Sequence, residues 1–94
     1  MSDNNMTDQV AIVTGAARGF GLAISERLMQ SGVRVFGWDQ EPSPIVGDRR
    51  FLGVERIDVT DQDAVQSAVE AALSTAGQIH ILVNNAGING PQVP

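Results

Sequence analysis

Three glycines, Gly15, Gly19 and Gly21, crowd the stretch Thr14-Gly15-Ala16-Ala17-Arg18-Gly19-Phe20-Gly21, and what flanks it limits the fold. Before it stands Val10-Ala11-Ile12-Val13, a short unbroken apolar run that suits a strand buried on both faces of a parallel sheet. After it, Gly21, Ile24 and Leu28 recur at helical spacing between Phe20 and Ser31, and Gly32 sits where a helix C-terminus favours glycine. A strand, a glycine turn and a helix in that order aim the free N–H groups and positive dipole of the helix at the turn. Gly15 permits the tight bend, while Gly19 and Gly21 let the sheet and a pyrophosphate approach without an intervening Cβ. A P-loop is excluded, because it needs a Lys after the last glycine and the chain has none.

The remaining elements follow the same alternation. Val33 to Trp38 reads as a second strand ending at Asp39. Gln40 to Arg50, with two Pro and a Gly, reads as loop with at most a helical turn. Leu52 to Ile57 is a third strand, and its Glu55-Arg56 pair suits a sheet edge. Val65, Ala68, Val69, Ala72, Leu73 and Ala76 then form one continuous helical stripe. Thr60-Asp61-Gln62-Asp63 gives that helix a capping-box-like start with acids near its positive end, and Gly77 closes it. Ile79 to Val83 is the fourth strand. Strands alternating with helices over short connections imply an α/β fold with a parallel sheet.

Composition removes other classes. Six basic residues, all Arg, against eleven acids leave a net charge of −5, which opposes binding to a nucleic-acid backbone. The chain has no Cys and a single His80, so neither a disulfide framework nor a thiolate or multi-histidine metal site is available. The first residues, Met1 to Gln9, are polar and lack the basic and apolar regions of a signal peptide, and no apolar run approaches membrane-spanning length. A cytoplasmic protein without membrane or nucleic-acid partners is the expectation. Residues 1–8 are expected to be a disordered polar tail.

Asp39 carries the next inference. It closes the second strand at about the 20-residue spacing where an acid accepts hydrogen bonds from an adenosine ribose. A carboxylate there repels a 2′-phosphate, which favours NAD over NADP. Arg18, in the glycine turn, could pair with such a phosphate. Asp39 weighs more, because Gln40 and Glu41 supply no second base.

Taken together, Thr14-Gly15-x-x-x-Gly19-x-Gly21, Asp58-Val59 and Asn84-Asn85-Ala86-Gly87 resemble the N-terminal half of a short-chain dehydrogenase/reductase of the 3-oxoacyl-ACP-reductase type. The resemblance implies a partial doubly wound, Rossmann-type parallel sheet of four strands in the order 3-2-1-4, with residues 9–94 as part of a dinucleotide-binding domain. It implies a cofactor, NAD rather than NADP, held by Gly15, Arg18, Gly19, Phe20, Gly21 and Asp39. Asp58 and Val59 would contact the adenine, and Asn85, Ala86 and Gly87 would border the nicotinamide-side ribose. Asn84 and Asn85 would also help hold the central sheet. Phe20 stands where the family has a smaller aliphatic residue, and His80 where it often has an acid.

The resemblance also implies an oxidoreductase acting on a secondary alcohol or ketone, and a parent that assembles as a dimer or tetramer. The family moves protons with a Tyr and a Lys four residues later, steadied by a Ser. The chain contains no Tyr and no Lys. No catalytic residue is therefore expected within it, and the 94 residues alone are expected to be inactive. A stand-alone NAD(H)-binding module is the alternative. A methyltransferase nucleotide fold is a third reading, opposed by the Asn84–Gly87 loop and by the glycine spacing.

Overall fold

The computed structural model of the chain describes residues 8–85. The expected tail over 1–8 lies outside them except for Asp8, as do Ala86 and Gly87. Six elements follow in the order β1 (Val10–Thr14), α1 (Gly19–Gln30), β2 (Arg34–Asp39), β3 (Gly53–Arg56), α2 (Gln62–Ala76) and β4 (Ile81–Val83). The strands form one parallel sheet in the order β3-β2-β1-β4. This is the 3-2-1-4 order that the sequence resemblance implies.

β1 is central, and all five of its residues are buried. Its alternation divides the core between the two faces of the sheet. Ala11 and Val13 join Val33, Val35, Ile45 and Phe51 on one face, where Leu22, Leu28 and Met29 of α1 pack against them. Val10 and Ile12 join Phe36, Trp38 and Ile57 on the other, covered by Val65, Ala68, Val69 and Ala72 of α2. The result is three layers, helix on sheet on helix, with the C-terminal ends of all four strands at one rim.

The caps explain where the helices stop. The Asp61 carboxylate accepts from the Ala64 N–H at 3.1 Å at the head of α2, and Gly77 ends it in the left-handed region at φ 84°. The carboxylate bond is half of a capping box; position 64 is Ala, so the reciprocal half is missing.

Several boundaries differ from the sequence expectation. β3 is shorter than Leu52–Ile57, and β4 starts at Ile81 rather than Ile79. Before β4, His80 makes the junction itself. Its N–H donates to the Val10 carbonyl at 2.9 Å, and its ring Nδ1 accepts from the Val10 N–H at 3.0 Å. Its Nε2 lies 2.7 Å from Gln78 Oε1, so the ring latches the start of β1 to the approach of β4. Leu73, placed on the buried stripe of α2, is 41% exposed, because Ala68 and Ala72 bring α2 close enough to the sheet to do the packing. The 40–50 segment is not merely a surface loop. Turns closed by Ile45 N–H to Pro42 O (2.8 Å) and Asp48 N–H to Ile45 O (3.0 Å) drive Ile45 into the core.

Candidate cofactor site

The rim at the C-terminal ends of β1, β2 and β3 contains a cleft of about 460 Å³ lined by Gly15, Arg18, Gly19, Trp38, Asp39, Gln40, Ile57 and Val59. Its floor is the turn after β1. Gly15 and Gly19 take positive φ values of 65° and 61°, which bend the chain back so that α1 begins beside the strand it left. A Cβ on Gly19 would meet nothing within 4 Å, so that position faces open space. Arg18, the N-cap of α1, makes no side-chain cap, and the first turn of the helix holds no acid. Its leading N–H groups are thus left for another acceptor, and no acid of the first turn competes for them.

Gly21 has a different duty. A Cβ there would fall 1.8 Å from the Gly15 carbonyl oxygen and 2.8 Å from Asn85 Nδ2. Only a glycine lets α1 seat against the turn and the end of β4. Asn85 is 1% exposed and donates from Nδ2 to the Gly15 carbonyl at 3.3 Å. Its Oδ1 is buried and has no hydrogen-bond partner among the described residues. A buried acceptor without a donor is unfavourable by roughly 1–3 kcal/mol, and a donor arriving from a ligand or a neighbouring segment would relieve it. Thr14 crosses the same seam, with Oγ1 3.3 Å from the Val83 carbonyl and 3.4 Å from Asn84 Oδ1.

The acid at the end of β2 closes the opposite side. Asp39 Oδ2 accepts from the Ala17 N–H at 3.0 Å, and Oδ1 accepts from the Glu41 N–H at 2.9 Å. The carboxylate thus spans from the tip of β2 to the glycine turn. Beside it, Arg18 Nη2 donates to the Glu41 carbonyl at 3.4 Å.

Of the residues singled out from sequence, Gly15, Arg18, Gly19, Asp39 and Val59 share the cleft. Gly21 and Asn85 lie beneath the turn and support it. Phe20 is 72% exposed and is not among the cleft's lining residues. Asp58 is also absent from the lining. Its carboxylate accepts from the Thr60 N–H at 2.9 Å and hydroxyl at 2.6 Å, and these donors hold it below the usual carboxylate range. Trp38, Gln40 and Ile57 also line the cleft and were not anticipated. Their signal was positional, since each adjoins Asp39 or Asp58 at a strand end. Among the described residues there is no cluster of three metal-ligating side chains.

An open parallel sheet in the order 3-2-1-4, with a glycine turn and an acid at its C-terminal rim, is a Rossmann-type α/β fold. The short-chain dehydrogenase family model matches residues 9–93, and the chain belongs to that family. Among curated relatives, it is 39% identical over 83 residues to a 3-ketodihydrosphingosine reductase of Bacteroides thetaiotaomicron, covering 88% of this chain and 30% of that protein. It is 36% identical over 88 residues to the 3-oxoacyl-(acyl-carrier-protein) reductase FabG of Escherichia coli, covering 89% and 36%. The chain thus spans about a third of the length of these relatives. A short-chain dehydrogenase from Bacillus anthracis superposes with a TM-score of 0.78 at 27% identity, covering 88% of this chain and 36% of that one. Carveol dehydrogenase from Mycobacterium avium, solved in complex with NAD, gives 0.73 at 28% identity, covering 88% and 37%. No helix among the described residues is long and apolar enough to cross a membrane.

Proposed function

We propose that the chain is the cofactor-binding half of an NAD-dependent short-chain oxidoreductase acting on a secondary alcohol or ketone. The observation that carries this is Asp39, whose carboxylate stands at the lip of the cleft with both oxygens on backbone N–H groups. Those bonds fix its orientation and leave lone pairs for a ribose diol. The residues also fit the rest of a dinucleotide. Gly19 faces open space before an uncapped helix start, where a pyrophosphate would accept from the first-turn N–H groups. Val59 and Ile57 offer an apolar wall to an adenine, and Asn85 Oδ1 keeps an acceptor beneath the Gly15 turn. Phe20, Asp58, Ala86 and Gly87 belong to the same proposed site by the family resemblance.

NAD is the preferred cofactor in this reading. The Asp39 charge opposes a 2′-phosphate, while Arg18, the one base lining the cleft among the described residues, is engaged with the Glu41 carbonyl. The bound nicotinamide supplies a hydride acceptor or donor. In this reading residues 8–85 orient its adenosine and pyrophosphate ends, and the Asp39 carboxylate at the lip serves the ribose rather than proton transfer. His80 lies at the opposite end of β4, bonded to Val10. By the family resemblance, proton transfer would fall to a Tyr and a Lys, and these 94 residues contain neither.

Calorimetric titration with NAD and NADP tests the reading. NAD should bind more tightly, and Asp39→Ala should narrow the gap. The chain should bind NAD yet leave NADH absorbance flat with a panel of secondary alcohols. Tighter binding of NADP, or cofactor-dependent turnover by the pure chain, would overturn the corresponding part.

A further inference from the structure

Outside the cleft, on the edge strand, Arg56 touches one of the two peptide groups that orient Asp39. Asp39 and Arg56 are paired across β2 and β3, and the Ile57 N–H donates to the Asp39 carbonyl at 3.0 Å. From there Arg56 Nη1 donates to the Gln40 carbonyl at 2.5 Å, with Glu41 Oε2 3.8 Å away. The Gln40 carbonyl and the Glu41 N–H belong to the same planar peptide unit and point in opposite directions across it. That N–H is the donor to Asp39 Oδ1, at 2.9 Å. Guanidinium, peptide plane and carboxylate thus form a single line. On the far side, Arg18 holds the next carbonyl, that of Glu41.

We infer that Arg56 is a positioning residue for the cofactor. By pinning the Gln40–Glu41 peptide plane it keeps the Asp39 carboxylate turned toward the ribose, and so sets NAD affinity without touching NAD. The inference rests on the dinucleotide reading above. Two physical effects act in the same direction. A charged donor on the carbonyl stops the peptide from rotating, and it polarises the opposite N–H into a stronger donor to Asp39. When Arg56 is removed, the peptide loses its charged anchor on the side of β3. Rotation about it then costs Asp39 its Oδ1 bond, leaving only the Ala17 N–H to hold the carboxylate.

A surface ion pair with no such relay would leave cofactor binding unchanged. The test compares Arg56→Gln and Arg56→Lys with the unaltered chain. NAD and NADP affinities are read by calorimetry, and exchange of the Glu41 and Ala17 amide protons is read by NMR in the cofactor-free protein. Arg56→Gln should weaken NAD by about three- to fivefold, the scale of one exposed charge-assisted contact. NADP should change less, and exchange at Glu41 should accelerate. Arg56→Lys, which keeps one charged donor to the carbonyl, should recover much of both effects. NAD affinity and Glu41 exchange unchanged in Arg56→Gln would overturn the inference. So would NADP weakened more than NAD, since that marks Arg56 as a charge for the phosphate. An unaltered chain that binds neither dinucleotide would remove the dinucleotide reading and this inference with it. One that binds NAD, with Arg56→Gln binding equally well, would remove the inference alone.

Discussion

Replacing Gly21 by Ala adds one methyl group where the structure has no room for it. The new Cβ would stand 1.8 Å from the Gly15 oxygen and 2.6 Å from the Gly15 carbonyl carbon. Both are backbone atoms of a turn tied to the central strand, so no rotamer change relieves the clash. To reach ordinary contact, the start of α1 must retreat by roughly 1.5 Å, which forfeits much of its dispersion contact with the sheet. Leu22, Leu28 and Met29 would then part from Ala11, Val13 and Val35. Overpacking against rigid backbone belongs at the upper end of the usual range, about 3 kcal/mol. In a chain of this length that corresponds to a fall in melting temperature of about 12–24 °C. Gly19→Ala is the control. Its Cβ meets nothing, and only the positive φ of 61° is penalised, by about 1 kcal/mol. The control should instead lose NAD affinity, because its methyl group enters the space before the helix start, and Gly19→Val should abolish it. Trp38, the single tryptophan, is 2% exposed and reports unfolding by fluorescence in urea or on heating. Gly21→Ala melting at or above Gly19→Ala would refute the packing argument.

Three further outcomes are expected. His80→Ala removes the acceptor for the Val10 N–H and should cost about 1 kcal/mol, read as a lower urea midpoint. It should leave NAD affinity unchanged, since the latch is at the opposite end of the sheet. Thr60→Val should raise the Asp58 pKa toward its ordinary value, measured by NMR titration, because the hydroxyl donor holds it down. A depressed folded pKa contributes stability that is present above the unfolded pKa and lost as pH falls through the folded one, so any stability deficit of Thr60→Val should be present above about pH 4 and shrink as the pH falls below it. Among the described residues β4 is an edge strand whose Leu82 is 65% exposed. Size-exclusion chromatography should show association rising with concentration, and Leu82→Lys should suppress it. An elution volume that does not vary with concentration would show the edge to be protected.

The glycine turn, Asp39 and the two helices were legible because each is written locally. Positive-φ turns need glycine, and a buried stripe needs period 3.6. Strand order was legible only through resemblance, since pairing joins residues far apart in sequence. Ile45 shows the opposite case. It lies in "QEPSPIVGDRR", which reads as solvent-facing from its prolines and charges, yet it is 2% exposed because the turns from Pro42 aim it beneath β2. Leu73 shows the converse, an apolar residue on the right helical face displaced to the surface by smaller neighbours. The link from Arg56 to Asp39 had no local signature either, because it depends on register between two strands and on the plane of one peptide. Even β4 was partly obscured, since the His80 ring replaces a ladder bond that pattern alone assigns to the backbone.

The glycine turn is held from two sides by residues at very different distances along the chain. Asp39 reaches Ala17 across 22 positions, while Asn85 reaches Gly15 across 70. Loop-closure entropy makes the longer connection more costly by about 1 kcal/mol. The β1–α1–β2 unit, with its acid already on the glycine turn, can therefore assemble while β4 is still unplaced. The N-terminal part of the chain also leaves the ribosome first. Folding order and binding geometry thus coincide: the adenosine corner condenses early, and the side that Asn85 closes is added last. Pulsed hydrogen exchange during refolding reads that order directly, as protection of Val35 and Phe36 ahead of Leu82 and Val83.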